Sequence, residues 1–356
     1  MLGHLHRTIL RPAWRLAHRA GARLVDEASF GAINALHLRH DGGPGLAARL
    51  GEYIAGWSGA SHDAYYALEG EGVARSREAL SRITLGTGPA RLVFPSPLAS
   101  VVGLHEENDS AVYDLFPCAA GWVGAPTLLM GHGLMSVSDS GYRREAARLN
   151  ALGWNVVFCH LPYHYARKPR RGWITSGELA VTADLVRTVE GVRQSVIETR
   201  LLVEWLAGKG APFFVGWGMS YGAWIMALLG CVEERMGRLI LVEPILDVQS
   251  AIWDSPTCIA MRWHLGRQGV TRAGTAPHMR LCCPYHVPPR LDPRHVLMLA
   301  GSYDRIAPPE TIRALHRKWA GSHYHEFPQG HVGYRLLPES FRLADALWGG
   351  ELPPLV

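Results

Sequence analysis

From about residue 100 onward, short apolar runs rich in β-branched and aromatic residues alternate with longer stretches of helical period. The runs predict strands at 111–116, 127–130, 156–159, 213–216, 239–242, 296–300 and 324–327. Helical patterns fall between them at 142–152, 181–206, 223–229 and 309–319. Strands that alternate with helices imply an α/β fold: a mostly parallel central sheet with helices on both faces. Residues 1–95 read as mostly helical and carry no catalytic pattern. They predict a helical N-terminal extension packed on a core domain at 96–350.

Two stretches interrupt the rhythm. Residues 160–180 follow a strand and are rich in Pro, Tyr, His and Arg. Residues 249–294 separate two strands by far more than an ordinary connection. Long insertions after strand C-terminal ends are where open α/β sheets build their sites. The second stretch therefore predicts a small cap, with Trp253, Trp263 and Tyr285 as candidate lining or, alternatively, as ordinary core.

The strongest chemical signal is Gly216-Trp217-Gly218-Met219-Ser220-Tyr221-Gly222, which contains G-x-S-x-G between a predicted strand and a predicted helix. A turn that sharp has no room for flanking side chains and pushes Ser220 into a cleft. A serine hydroxyl is a poor nucleophile near neutral pH and needs a base. Asp304 follows the strand at 296–300 and His331 follows the strand at 324–327, in the order nucleophile, acid, base. His331 is thus the candidate base and Asp304 the group that orients it, with Asp247 as the alternative acid. With 18 histidines in the chain, position rather than residue type singles out His331. Two backbone N–H groups must also face the developing oxyanion. Tyr221 supplies one, and the loop Met130-Gly131-His132-Gly133-Leu134 supplies the other, at Leu134 or, in competition, at Gly133. The candidate substrate-binding residues are His132, Gly133, Tyr163, Trp253 and Trp263.

These residues resemble the α/β-hydrolase superfamily over about 95–345. Within it the chain is similar to the α/β-hydrolase domain-containing protein 18 group and its bacterial relatives. That likeness rests on Pro162-Tyr163-His164-Tyr165-Ala166-Arg167-Lys168-Pro169, the long helix to Trp205 and the elbow after it. Ala223 departs from it, standing where that group often has a second glycine. The resemblance implies a serine hydrolase acting on an acyl ester, with a lipid among the possible substrates and no cofactor or metal. The same triad serves acyl transfer and the hydrolysis of lactones, amides and thioesters. A non-catalytic, membrane-associated binding protein on this scaffold is the alternative of a different class.

Composition narrows the rest. The chain has 356 residues, 48% of them hydrophobic and 19% charged, which excludes a wholly disordered protein. Of its 36 basic residues three are lysines, and the net charge is only +5. No basic stripe interleaved with aromatics points to nucleic acid. Six cysteines show no ligand spacing and no C-x-x-C, which suggests small core residues in a reducing, cytoplasmic setting. Arginines at 7, 11, 15, 19 and 23 form a drifting stripe on a helix predicted at 11–23. It either rests on anionic lipid through residues 5–25, with Leu16, Ala20 and Leu24 beneath, or packs on the domain with a solvated face. Arg167, Lys168, Arg170 and Arg171 similarly predict a basic rim at the cleft or a solvated loop. Acyl chain length, leaving group and oligomeric state stay open.

Overall fold

The computed structural model describes residues 11–98, 105–333 and 335–356. Among these residues, eight strands form one sheet: β1 (Ala90–Pro95), β2 (Ser110–Phe116), β3 (Thr127–Gly131), β4 (Asn155–His160), β5 (Phe214–Met219), β6 (Met236–Val242), β7 (Val296–Gly301) and β8 (His323–Phe327). The spatial order is β1-β2-β4-β3-β5-β6-β7-β8. β2 runs antiparallel to both β1 and β4, and the strands from β4 to β8 are parallel. The longer helices are α1 (Arg11–His37), α2 (Leu46–Gly56), α3 (Glu71–Ser81), α4 (Ser140–Ala151), α5 (Leu185–Gly208), α6 (Tyr221–Val232), α7 (Val248–Trp253), α8 (Ile259–Arg267), α9 (Arg272–Met279), α10 (Pro309–Lys318) and α11 (Leu336–Trp348).

The apolar runs are continuous because both faces of the sheet are covered. Side chains alternate across a strand. Leu129, Leu239, Leu241 and Met298 therefore join the core beneath α5 and α6. Leu128, Met130, Ile240, Val242 and Leu297 join the opposite core with Trp154, Trp217 and Phe341. A twelve-residue helix such as α6 is buried all round, which is why its sequence is apolar without a stripe. β1 was not predicted, because only two of its residues, Leu92 and Phe94, are buried and the run ends in proline. All six cysteines are free and buried.

α1 continues well past the predicted end at Arg23. Its inward face is Asp26, Phe30 and His37, all buried, whereas Leu24 is 74% exposed, a spacing of four, then seven, that follows one side of a helix. Asn34 ties this helix to the segment before α8: its Nδ2 donates to the Pro256 carbonyl, and its Oδ1 accepts from the Ala260 N–H, both at 2.8 Å. The stretch at 5–10, with Arg7, and the side chains at 11–18, with Leu16, lie outside the described residues. Among the described residues, no helix is long and apolar enough to cross a membrane.

One expectation fails outright. Arg167 does not stand on a basic rim: its side chain is 1% exposed and donates to both carboxylate oxygens of the equally buried Glu198, at 2.7 and 3.0 Å. Its guanidinium also donates to the carbonyls of His160 and Asn108. The loop turns inward at 167 because the two terminal nitrogens of this fork find four acceptors there. Lys168, Arg170 and Arg171 are exposed.

Candidate active site

Because β3 and β5 to β8 are parallel, their C-terminal ends meet at one edge of the sheet, and the candidate residues collect there. β5 passes into α6 through Ser220, whose φ of 53° and ψ of −112° put a non-glycine residue in a strained region. Close packing dictates the flanking glycines. A Cβ on Gly218 would lie 2.5 Å from the Gly222 carbonyl oxygen, and one on Gly222 would lie 2.3 Å from the Gly131 carbonyl carbon. The Ser220 N–H donates to the Val242 carbonyl at 2.8 Å, which pins the turn to the end of β6.

Ser220 Oγ lies 2.8 Å from His331 Nε2, and His331 Nδ1 lies 2.7 Å from Asp304 Oδ2. The other Asp304 oxygen accepts the backbone N–H groups of Ile306 and Ala307, each at 2.8 Å. Asp304 is therefore fixed as an acceptor, so Nδ1 carries a proton and the neutral imidazole presents Nε2 to the serine hydroxyl. Burial disfavours a charged imidazole, but Asp304, Glu243 and Asp26 outweigh it and raise the His331 pKa to about 9. Asp247 takes no part: its carboxylate caps α7 through the Ser250 N–H and hydroxyl at 3.0 and 2.9 Å.

Two of these carboxyl groups escaped the sequence analysis. Glu243 closes β6 with φ of 49° and is buried at 1% exposure. Its Oε1 accepts from Gln329 Nε2 at 3.2 Å. Burial pushes its pKa well up, with the His331 charge opposing and Asp304 adding to the rise. Its signal was an acid embedded in the apolar run Leu239-Ile240-Leu241-Val242-Glu243-Pro244-Ile245. Asp26 comes from α1 and had no local signal. Glu243, Asp304 and His331 bring donor atoms within 4.8 Å of one another. Both imidazole nitrogens are already engaged, by Ser220 and Asp304, so this donor set is a poor match for a cation.

A cavity of about 340 Å³ opens on Ser220 and His331. Leu134 and Tyr221, the candidate oxyanion residues, both line it. The remaining wall is largely apolar: Ile33 from α1, Val181, Trp224 from α6, Val248 and Ile252 from α7, and Val332. The segment 249–294 contributes through α7, Thr257 and Cys258, not through its large aromatics. Trp253 donates its indole N–H to Thr275 between cap helices at 3.2 Å, and Trp263 is 51% exposed with Arg267 over its ring. Tyr285 lies under Lys318. His132 is fully buried behind the loop, where its Nε2 accepts the Leu161 N–H at 3.3 Å, and burial holds its pKa well down. Tyr163 is buried with φ of 66°. Of the five candidate substrate-binding residues, only Gly133 stands next to Ser220, whose Cβ would be 3.9 Å from a Cβ built on it. None of the five lines this cavity: His132 and Tyr163 are buried elsewhere, Trp253 is held between cap helices and Trp263 turns to solvent. A second cavity of about 390 Å³ adjoins it through Ile245, Ala251 and Ile306, borders Asp304 and carries charged residues of both signs in its lining, among them Arg19, Arg23, Asp247 and Asp254. It does not reach Ser220.

No protein-family model matches the chain. Two uncharacterised proteins of Mycobacterium tuberculosis, from strains CDC 1551 and H37Rv, are each 27% identical to it over 185 residues, which is 51% of this chain. The match spans 43% of the length of these curated relatives. Among solved structures, a puromycin hydrolase superposes with a TM-score of 0.52 at 17% identity, covering 75% of this chain and 41% of that one. An acetyl xylan esterase from Paenibacillus sp. R4 gives 0.50 at 16% identity, covering 76% and 92%. Acetyl xylan esterase 1 from Thermoanaerobacterium sp. JW/SL YS485 gives 0.50 at 16% identity, covering 81% and 94%. No link to the domain-containing protein 18 group emerges. The strand order, the antiparallel β2, the elbow after β5 and these superpositions lead to one architectural conclusion: this chain has the α/β-hydrolase fold.

Proposed function

We propose that the protein is a serine hydrolase that cleaves carboxylic esters with an apolar acyl group. The observation that carries this reading is the hydrogen-bonded series Ser220–His331–Asp304 opening on an apolar cavity. In this reading His331 Nε2 takes the Ser220 proton as Oγ attacks the ester carbonyl. Asp304 supports the imidazolium through Nδ1–H. The N–H groups of Leu134 and Tyr221 hold the oxyanion. The imidazolium then protonates the departing alkoxide, leaving an acyl-serine. Water, deprotonated by His331, attacks that ester, and its collapse frees the acid and Ser220.

Chemistry at the wall sets the acyl class. Ile33, Trp224, Val248, Ile252 and Val332 offer a substrate no charged partner, so a charged acyl chain would lose its hydration there without compensation. Two fold neighbours matched over 92% and 94% of their length are named as acetyl xylan esterases, which is consistent with the ester reading. Transfer to an acceptor other than water uses the same steps and differs only in the final nucleophile.

The test combines a fluorophosphonate probe with p-nitrophenyl esters of two to sixteen acyl carbons and one matched anilide. Wild type is expected to label at Ser220 and to turn over esters faster than the anilide. Ser220→Ala is expected to fold, fail to label and lose activity by orders of magnitude. A wild type that neither labels nor hydrolyses any ester overturns the reading. Product analysis with competing alcohols separates hydrolysis from transfer.

A further inference from the structure

α1 lies outside the strand–helix rhythm of the sheet, yet one of its side chains reaches the loop that carries His331. Asp26 is 0% exposed. A Cβ built on Gly330 would lie 2.9 and 3.0 Å from its Oδ1 and Oδ2, so the carboxylate packs directly on the chain beside the imidazole. It faces the backbone N–H groups of His331 and Val332, but neither oxygen closes a hydrogen bond with the described residues. A carboxylate taken out of water in this way is costly unless a compensating charge is near.

The local charges identify that compensation. His331 is faced by Asp304 from the loop after β7, by Glu243 from the end of β6 and by Asp26 from α1. Arg305, the nearest basic residue in sequence to this site, pairs with Glu27 and lies over Phe30 on α1. Arg19 and Arg23 line the neighbouring cavity. Among the described residues, the imidazole is thus the cationic partner available to Asp26. α1 is held at both sides of the site, by Asn34 on Pro256 and Ala260 and by His37 on the Val181 carbonyl at 3.1 Å. Such anchoring keeps Asp26 from swinging out to water.

We propose that Asp26 is a positioning residue: from the N-terminal helix it holds the loop at 329–333 against the sheet and supports the charge that His331 acquires when it takes the Ser220 proton. This rests on the reading of Ser220, His331 and Asp304 as a catalytic set. It makes α1 part of the active site rather than an appendage to it. Asp26 touches neither substrate nor Ser220 and acts through His331 alone. Burial and Asp304 raise its own pKa, while His331 and the two backbone N–H groups oppose that rise. Removing the negative charge destabilises the imidazolium, so the His331 pKa falls and the acid limb of kcat/KM moves to lower pH.

The full chain is compared with Asp26→Asn and with Gly330→Ala. The second variant pushes a methyl group toward the Asp26 carboxylate from the other side. His331 is followed by NMR of its imidazole through a pH titration, a signal read whether or not any ester is hydrolysed. In Asp26→Asn the His331 titration is expected to fall by about 0.5–1 pH unit. The acid limb should move with it, and plateau kcat should drop about tenfold with KM nearly unchanged. Gly330→Ala is expected to move the titration in the same direction, and it decides the matter if Asp26→Asn does not fold. A His331 titration identical to wild type in the folded variants overturns the proposal, even if thermal stability falls, because that is what a merely structural role predicts. A wild type that neither labels nor hydrolyses would refute the catalytic reading instead, and the titration would still report on the influence of the Asp26 charge on His331.

Discussion

Gly222→Ala tests the seam between the elbow and the loop that follows β3. The new Cβ would lie 2.3 Å from the Gly131 carbonyl carbon, 2.5 Å from its oxygen and 2.6 Å from the His132 oxygen. All three are backbone atoms, so no side chain can swing aside. Carbon–oxygen contacts normally settle beyond about 3 Å, and relief requires the two segments to separate by roughly half an ångström or more. Overpacking of this kind costs about 1–3 kcal/mol of stability. The functional effect should be larger. The seam joins Ser220 and Tyr221 on one side to Leu134 on the other, and displacing reacting groups by about 1 Å can cost about a hundredfold in rate. The assay is kcat/KM on a short-chain p-nitrophenyl ester beside a thermal melt. The expected outcome is a melting point lowered by several degrees and kcat/KM reduced by about one to two orders of magnitude, mostly in kcat. A Gly222→Ala enzyme with wild-type kcat/KM would refute the idea that this contact sets the geometry for the oxyanion.

His331 must be neutral to accept the Ser220 proton, and its pKa is raised to about 9, so the rate of fluorophosphonate labelling should climb from pH 7 toward 9. An inflection at or below the ordinary histidine value would contradict it. Glu198→Gln strands the buried Arg167 guanidinium and should cost about 3–5 kcal/mol in chemical denaturation, whereas the double replacement Arg167→Met, Glu198→Leu should recover much of that. Equal stability for the single variant and wild type would mean that the pair does not hold the loop. Ala32→Phe, on the α1 wall of the cavity, should lower kcat/KM more for twelve-carbon than for acetyl esters, and an unchanged acyl profile would remove α1 from the acyl path.

What the amino-acid sequence determined by itself is the part encoded in short range. The central strands follow from nearly continuous apolar runs, because a strand buried on both faces needs no partner's identity to be apolar, whereas β8, His-Tyr-His-Glu-Phe, is only partly buried and shows as a short aromatic run after a helix. Ser220, Asp304 and His331 were legible because each sits in its own local context, just past a strand end, and the parallel sheet brings those ends to one edge. The glycines at 218 and 222 are likewise local, as the turn has no room for a Cβ. Tertiary structure alone decided the rest. Arg167 read as surface charge because nothing near it in sequence reveals Glu198 as its buried partner. Trp253 and Trp263 read as cavity lining because aromatic content says nothing of direction. Asp26 lies 305 positions from His331 in the chain, on an exposed-looking arginine-rich helix. Its closeness to the imidazole depends on how α1 packs against Pro256, Ala260 and Val181. Helix and strand periodicity encodes which face of an element turns inward, but the meeting of charges from distant elements is settled only when the faces pack.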